Sequence, residues 1–185
     1  FWTNQYMRFF CGTNERLRLN TDGTFTNTAS ASAPTSGSGW GFTQDQLYLS
    51  TAGSSANYAL RFYNDNGLVG SVLVNGSGVT YNTSSDYRLK ENQVSISDAI
   101  SKVKQLKPYT FNFKADASTT VDGFFAHEVQ EVVPHAVSGK KDDEQMQSMD
   151  YGKLTPLLTA ALQEAISEIE TLKTEVAALK SQLNN

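Results

Sequence analysis

Two side chains near the middle of the chain have the chemistry of a hydrolase. In TSSDYRLKEN, residues 83–92, Ser85 carries a hydroxyl and Lys90 carries an amine five positions later. A hydroxyl becomes a useful nucleophile only when a base takes its proton. A lysine serves as that base only when neutral, so its reference pKa near 10.4 must fall by about three units, an environmental cost of roughly 4 kcal/mol. Burial or a neighbouring positive charge has that effect, and Arg88 is the candidate neighbour. Nothing around the pair reads as a pocket for a foreign substrate. Spacing alone says little, because a serine and a lysine five apart are common and most often form an ordinary exposed turn.

The spacing does restrict the geometry. Five helical residues rotate a side chain through ~500°, and five residues along a strand put the two groups on opposite faces. Regular secondary structure therefore does not bring Ser85 to Lys90. Either the chain bends sharply between Asp86 and Leu89, or the groups meet from different subunits. The expectation is a hydroxyl and a desolvated amine that become neighbours only when copies assemble.

The elements that must position this pair differ on its two sides. No lysine precedes Ser85, and of the fifteen lysines and arginines only Arg8, Arg16, Arg18 and Arg61 come before Arg88. Most glycines lie in the first half, which is dominated by Ser, Thr and Asn. The composition thus divides the chain into residues 1–84 and 85–185.

The first half reads as β. LRLNTDG (17–23), LYLSTAG (47–53) and LRFYNDNG (60–67) each alternate apolar residues and close on turn residues, the pattern of a strand running into a turn. The echo is loose and its spacing irregular. TNTASASAPTSGSG (26–39) has no apolar periodicity. Such strands bury too little apolar surface to offset chain entropy on their own. They become stable if copies of the chain wrap around one axis, the expectation for an intertwined all-β fibre or stem.

The second half reads as a compact α+β unit. SISDAISKVKQL (95–106) predicts a helix capped by Ser97, with Ala99, Ile100, Val103 and Leu106 along one face and Pro108 ending it. PYTFNFK (108–114) alternates Tyr109, Phe111 and Phe113 as a half-buried strand. VDGFFAHEVQEVVP (121–134) predicts a short strand through Phe124 and Phe125, then a helical turn or two ended by Pro134. After the polar loop GKKDDEQ (139–145), Asp150 caps the last element. There the apolar positions Leu158, Leu162, Ala165, Ile169, Leu172, Val176, Leu179 and Leu183 alternate in steps of four and three. This is a heptad repeat, and it predicts a coiled coil over about 154–183. With Leu162, Ile169, Val176 and Leu183 at position a, the residue types lean towards a parallel dimer.

Several function classes are disfavoured. The formal net charge is −4, which argues against duplex nucleic acid as a partner. No apolar run approaches the ~18 residues that span a bilayer. Cys11, the one cysteine, cannot form an internal disulfide. No metal or other cofactor is called for, and His127 and His135 read as surface or capping residues. The start FWTNQYMRFF has no initiator Met and no signal-peptide pattern, so a fragment of a longer protein is expected.

Four stretches carry a resemblance to a known family. SSDYRLKEN resembles the opening of the intramolecular chaperone, or peptidase S74, domain at the C-termini of bacteriophage tail spikes and tail fibres. A related auto-processing domain occurs in the myelin regulatory factor family. LKPYTFNFK, DGFFAHEVQEVVPHAV (with His127 where glutamine is common) and MDYGKLTPLLTAALQE are similar to later segments of the family, in the same order.

The resemblance implies an α+β chaperone domain with a trimeric coiled-coil helix, preceded by the β stem. It overrides the dimer lean of the heptads. It also implies a homotrimer that folds the upstream fibre and then cuts its own backbone, with Ser85 as nucleophile, Lys90 as general base and Arg88 in support. Phage relatives imply a cut between Ser85 and Asp86. A direct attack by Ser85 on the preceding carbonyl would instead break Ser84–Ser85 through a five-membered ring, whereas attack on its own carbonyl closes a strained four-membered one. The mature fibre would sit in the virion tail and meet a host-surface saccharide or receptor, and the chaperone fragment would be made in the bacterial cytoplasm and released. The rival reading is a non-catalytic fibre tip whose aromatics, as in GSGWGFTQDQLYL, bind that saccharide.

Overall fold

The structure, a computed structural model, describes residues 7–11, 14–19, 25–26, 39–42 and 46–184. The Ser/Thr-rich tract predicted without periodicity lies, at 27–38, outside the described residues. The chain divides into two units, Phe1–Glu91 and Asn92–Asn185. Residues 85–91 therefore go with the strands, although the composition changes at residue 84.

The alternating runs of the first unit form antiparallel meanders. One sheet holds β1 (Met7–Cys11), β2 (Asn14–Leu19), β3 (Phe25–Thr26), β4 (Gly39–Phe42) and β5 (Leu47–Ser50) in sequence order. The other holds β6 (Asn57–Asn64), β7 (Gly67–Asn75) and β8 (Gly78–Thr83). Two-residue loops make its hairpins tight. Gly76, at the first loop position after β7, has φ of 54°, a value glycine adopts without the clash of a Cβ and one that suits the strand twist. Register sets Val72 opposite both Leu60 and Tyr81, with Val74 opposite Val79. One face of this sheet is thus apolar, yet Phe62, Val79 and Tyr81 on it are exposed.

In the second unit the sequence order is α1 (Ala99–Val103), β9 (Tyr109–Phe113), β10 (Asp116–Gly123), α2 (Ala126–Val132), β11 (Val137–Ser138), β12 (Ser148–Met149) and α3 (Thr155–Leu183). Ala99, Val129, Val133, Ala136, Val137, Leu154, Leu157 and Ala161 form its core, with Ile100, Val103, Leu106 and Phe124 packed against them. Val129 is 1% exposed; burying a side chain of that size stabilises by roughly 1.5–3 kcal/mol. At Gly123 a Cβ would come within 2.7 Å of the Tyr151 hydroxyl and 3.2 Å of the Phe111 ring. Glycine is what lets the end of β10 pass beneath these rings.

Two local expectations change. Ser97 does not cap α1: the residue before it is Asp98, in the left-handed region and without a side-chain cap bond. The free N–H groups of Ala99 and Ile100 donate instead to the two carboxylate oxygens of Glu164 on α3, at 3.0 and 2.9 Å. The strand expected through Phe124 and Phe125 ends at Gly123, and Phe125 already leads into α2. Its ladder runs back through polar residues to Asp116, pairing Val121 with Phe111 and Gly123 with Tyr109.

Asp150 does cap, as expected, through a bond from the Gly152 N–H at 3.0 Å. It caps a 3₁₀ turn, Tyr151–Leu154, that runs into α3. Pro156 lies in the first turn of α3, where its missing N–H costs nothing. The helix is 29 residues long. Leu157 and Ala161 on it are buried, whereas Leu158, Leu162, Ile169, Leu172, Val176, Leu179 and Leu183 are between 47% and 85% exposed. The face that packs in the core and the heptad face are different faces of one helix.

Candidate functional site

The serine–lysine pair is built at the end of a sheet. β8 pairs with β7 as far as Thr83 opposite Gly70. Ser84 prolongs that attachment, its N–H donating to Val69 O at 3.1 Å and its hydroxyl to Leu68 O at 2.8 Å. The chain then turns. Residues Tyr87–Leu89 form a single 3₁₀ turn, closed by Leu89 N–H to Asp86 O at 3.1 Å and Lys90 N–H to Tyr87 O at 3.0 Å.

Asp86 makes this turn. Its backbone is extended, and its carboxylate accepts from the Arg88 N–H as an N-cap. Short polar side chains favour this position because they satisfy an N–H that the turn leaves free. The same carboxylate accepts from Arg88 Nε at 2.9 Å and Nη2 at 2.8 Å, a two-pronged pairing suited to the planar guanidinium. The hydrogen bonds from the Arg88 side chain, and next its backbone, hold the Asp86 carboxyl below its ordinary value; Lys90 nearby acts in the same direction. The bond to Asp86 raises Arg88 in turn.

The outcome is that Lys90 Nζ donates to Ser85 Oγ at 2.8 Å. Of the two geometries the spacing left open, the sharp bend is the one observed. The expectation that the groups become neighbours only between assembled copies is therefore corrected: the 3₁₀ turn closes the contact within one chain. The expected desolvation is not supplied by the single chain either, since every residue of 84–91 is exposed. Arg88, expected as the positive neighbour of the amine, instead braces the turn through Asp86. Tyr87 and Leu89 point into solvent, at 82% and 65% exposure.

Three contacts had no sequence signal. The Glu164 cap of α1 joins residues 64 and 65 positions apart. Ser84 entered the sequence reading only as an alternative cleavage position, although it ties the site to the sheet. Glu128 accepts from Lys107 Nζ at 3.0 Å and from the Tyr109 hydroxyl at 3.4 Å. The Lys107 bond is the main cause that lowers the Glu128 carboxyl and raises Lys107. A charge partner for Lys107 was not foreseeable from a glutamate on a later helix.

Among the described residues, no cluster of three His, Cys, Asp or Glu side chains could hold a metal ion, and no helix is long and apolar enough to cross a membrane. Compared with curated proteins, the chain finds no match. Residues 85–138 match the family model for the chaperone of endosialidase, peptidase S74. The match opens on Ser85 and takes in Lys90, α1, the β9–β10 hairpin and α2; it ends before α3. Over residues 85–138, under a third of the chain, the sequence is thus similar to the chaperone of endosialidase, which supports an intramolecular chaperone domain of the kind found in phage tail fibres.

Proposed function

We propose that this chain is the C-terminal part of a phage tail fibre or spike, in which the chaperone folds the upstream β stem as a homotrimer and then releases itself by cutting at Ser85. The observation that carries the reading is the 2.8 Å bond between Lys90 Nζ and Ser85 Oγ, at the residue where the family match begins. The neutral lysine takes the hydroxyl proton and the oxygen attacks a backbone carbonyl. In the acyl shift, Oγ of Ser85 adds to the Ser84 carbonyl carbon, the C–N bond breaks, and Lys90 returns the proton to the departing amine. Water then hydrolyses the ester, leaving a carboxylate on Ser84 and a free hydroxyl on Ser85. A cut between Ser85 and Asp86, the position family resemblance implies, needs water or another hydroxyl as attacking group, because a four-membered ring is strained. The first residue of the released fragment distinguishes the two bonds.

Assembly supplies what one chain lacks. Neighbouring copies that cover Tyr87 and Leu89 would exclude water from the amine and favour its neutral form. The exposed heptad face of α3 supports self-association, and its flanking charges support one orientation. With Leu162 and Ile169 at position a, Glu168 and Glu175 fall at g, and Lys173 and Lys180 at e. In a parallel, in-register bundle each glutamate meets a lysine of the adjacent helix; an antiparallel one brings like charges together. Such a clamp raises the local concentration of the stems and sets their register, which lowers the cost of closing contacts between distant strands. Once the stem is locked, cutting removes the clamp and leaves the fibre kinetically trapped. The mature fibre would then reside in the virion tail.

Denaturing gels of wild type, Ser85→Ala and Lys90→Ala test this. Wild type should run as two fragments and both variants as one. An uncut wild-type chain that has folded and associated would return the site to the rival reading of an ordinary turn in a structural fibre tip.

A further inference from the structure

The two adjacent serines face different partners. As expected for extended backbone, where successive side chains alternate, Ser84 donates its hydroxyl to Leu68 O at 2.8 Å while Ser85 receives Lys90 Nζ at 2.8 Å. The Ser84 N–H is also spent, on Val69 O at 3.1 Å. Ser84 is therefore fastened to β7 by main chain and side chain, one residue before the hydroxyl that reacts. On the other side stands the turn braced by Asp86 and Arg88. Ser85 lies between two independent supports, a short-range turn and a sheet whose partners are 15 and 16 residues away.

These supports differ in range. The turn involves only 86–90 and needs no other part of the chain. The Ser84 bonds lie just past the Thr83–Gly70 pair, at the end of the β7–β8 ladder farthest from its loop. Without these bonds the main chain entering Ser85 would be free, and the reacting groups would spend little time aligned.

We infer that Ser84 is a positioning residue that makes scission conditional on completion of the β7–β8 ladder, so that the stem's last strand must be in place before the chaperone is cut away. Its hydroxyl, already donated to Leu68, is also kept from competing with Ser85 for the lysine. The inference rests on the proposed roles of Ser85 and Lys90 and adds the timing of the cut.

The test is a time course of fragment appearance after the full chain is diluted from denaturant, at several pH values, for wild type, Ser84→Ala and Ser84→Thr, with far-UV circular dichroism followed in parallel. Losing the side-chain bond should slow cutting in Ser84→Ala by about five- to ten-fold at every pH. The midpoint of the rate–pH curve and the final dichroism should stay as in wild type, because Lys90 and the sheet are untouched. Ser84→Thr, which keeps a hydroxyl and favours extended backbone, should restore the rate to within about two-fold. Cutting of Ser84→Ala at the wild-type rate overturns the inference while leaving Ser85 and Lys90 in their roles. So does a shifted midpoint, a slow rate that threonine does not rescue, or a slow rate accompanied by lost sheet signal. A wild-type chain that is never cut removes both this inference and the reading beneath it.

Discussion

The two units differ in where their apolar surface goes. In the second, Val129, Leu154, Leu157 and their neighbours leave water within a single chain. In the first, no large hydrophobic side chain among the described residues is buried, and Phe62, Val79 and Tyr81 stay exposed on a three-stranded sheet. Hydrophobic burial is the main favourable term that opposes chain entropy. A unit with its own core can fold first, whereas a meander with open faces needs further copies or a clamp. Under the proposed function, that contrast would be the physical reason for attaching a chaperone to such strands. Ser85 and Lys90 lie in the last residues of the unit that lacks a core.

The contrast can be broken most severely at Val129. Val129→Asp puts a charge where 1% of the side chain is exposed, and burying an unpaired charge costs more than a domain of this size can bear. Loss of the helical dichroism is expected at all temperatures. The same change at Val72, half-buried on β7, should leave that helical signal in place and act through assembly, with less associated, soluble chain by light scattering. If Val72→Asp also abolished the helical signal, the units would not be independent.

Next in size is a change on the heptad face. Leu172 and Leu179 are 57% and 58% exposed in the single chain, so the double substitution to Glu touches none of the core. Sedimentation should show a monomer, and the helical melting transition of the monomer should persist. A double variant that keeps its associated mass would take the heptad face out of the proposal.

The smallest effect concerns Glu164. Bonds from the backbone N–H of Ile100, and then of Ala99, hold its carboxyl below the ordinary value. A carboxyl lowered in the folded state contributes its stability above the unfolded value, about 4.3 for glutamate, and loses it as pH falls through the folded value. Wild type should therefore lose melting temperature on acidification below pH 4.3 more steeply than Glu164→Gln, which keeps an acceptor without a charge. Parallel curves would mean that the cap adds nothing. At the 3₁₀ turn beside Ser85, Asp86 is lowered in the same sense, so its brace on Arg88 is fully present above the ordinary aspartate value and fades below it.

What the sequence made legible follows from how local each signal is. The face of α1 was readable because Ala99, Ile100, Val103 and Leu106 repeat at helical spacing, and all four pack in or against the core. β9 was readable from Tyr109, Phe111 and Phe113. Its partner β10 was not, because Asp116–Thr120 has no apolar alternation and its strand character comes from pairing with Phe111 and its neighbours. The cap of α1 was misplaced on Ser97 because the true partner, Glu164, lies 65 residues away from Ala99. At the site, residue types and spacing singled out Ser85 and Lys90 and required a bend. They could not show that Asp86 and Arg88 brace that bend, or that Ser84 anchors it, since those roles depend on where side chains turn.

The most direct measurement is the intact mass of the purified wild-type chain beside that of Lys90→Ala. The wild-type sample should contain two fragments that meet at Ser85 and whose masses sum to the chain plus one water, and Lys90→Ala should give one uncut mass. A single uncut mass from a wild-type chain that has folded and associated, or equal cutting without the lysine, would contradict the proposal that the two side chains form a self-cutting pair.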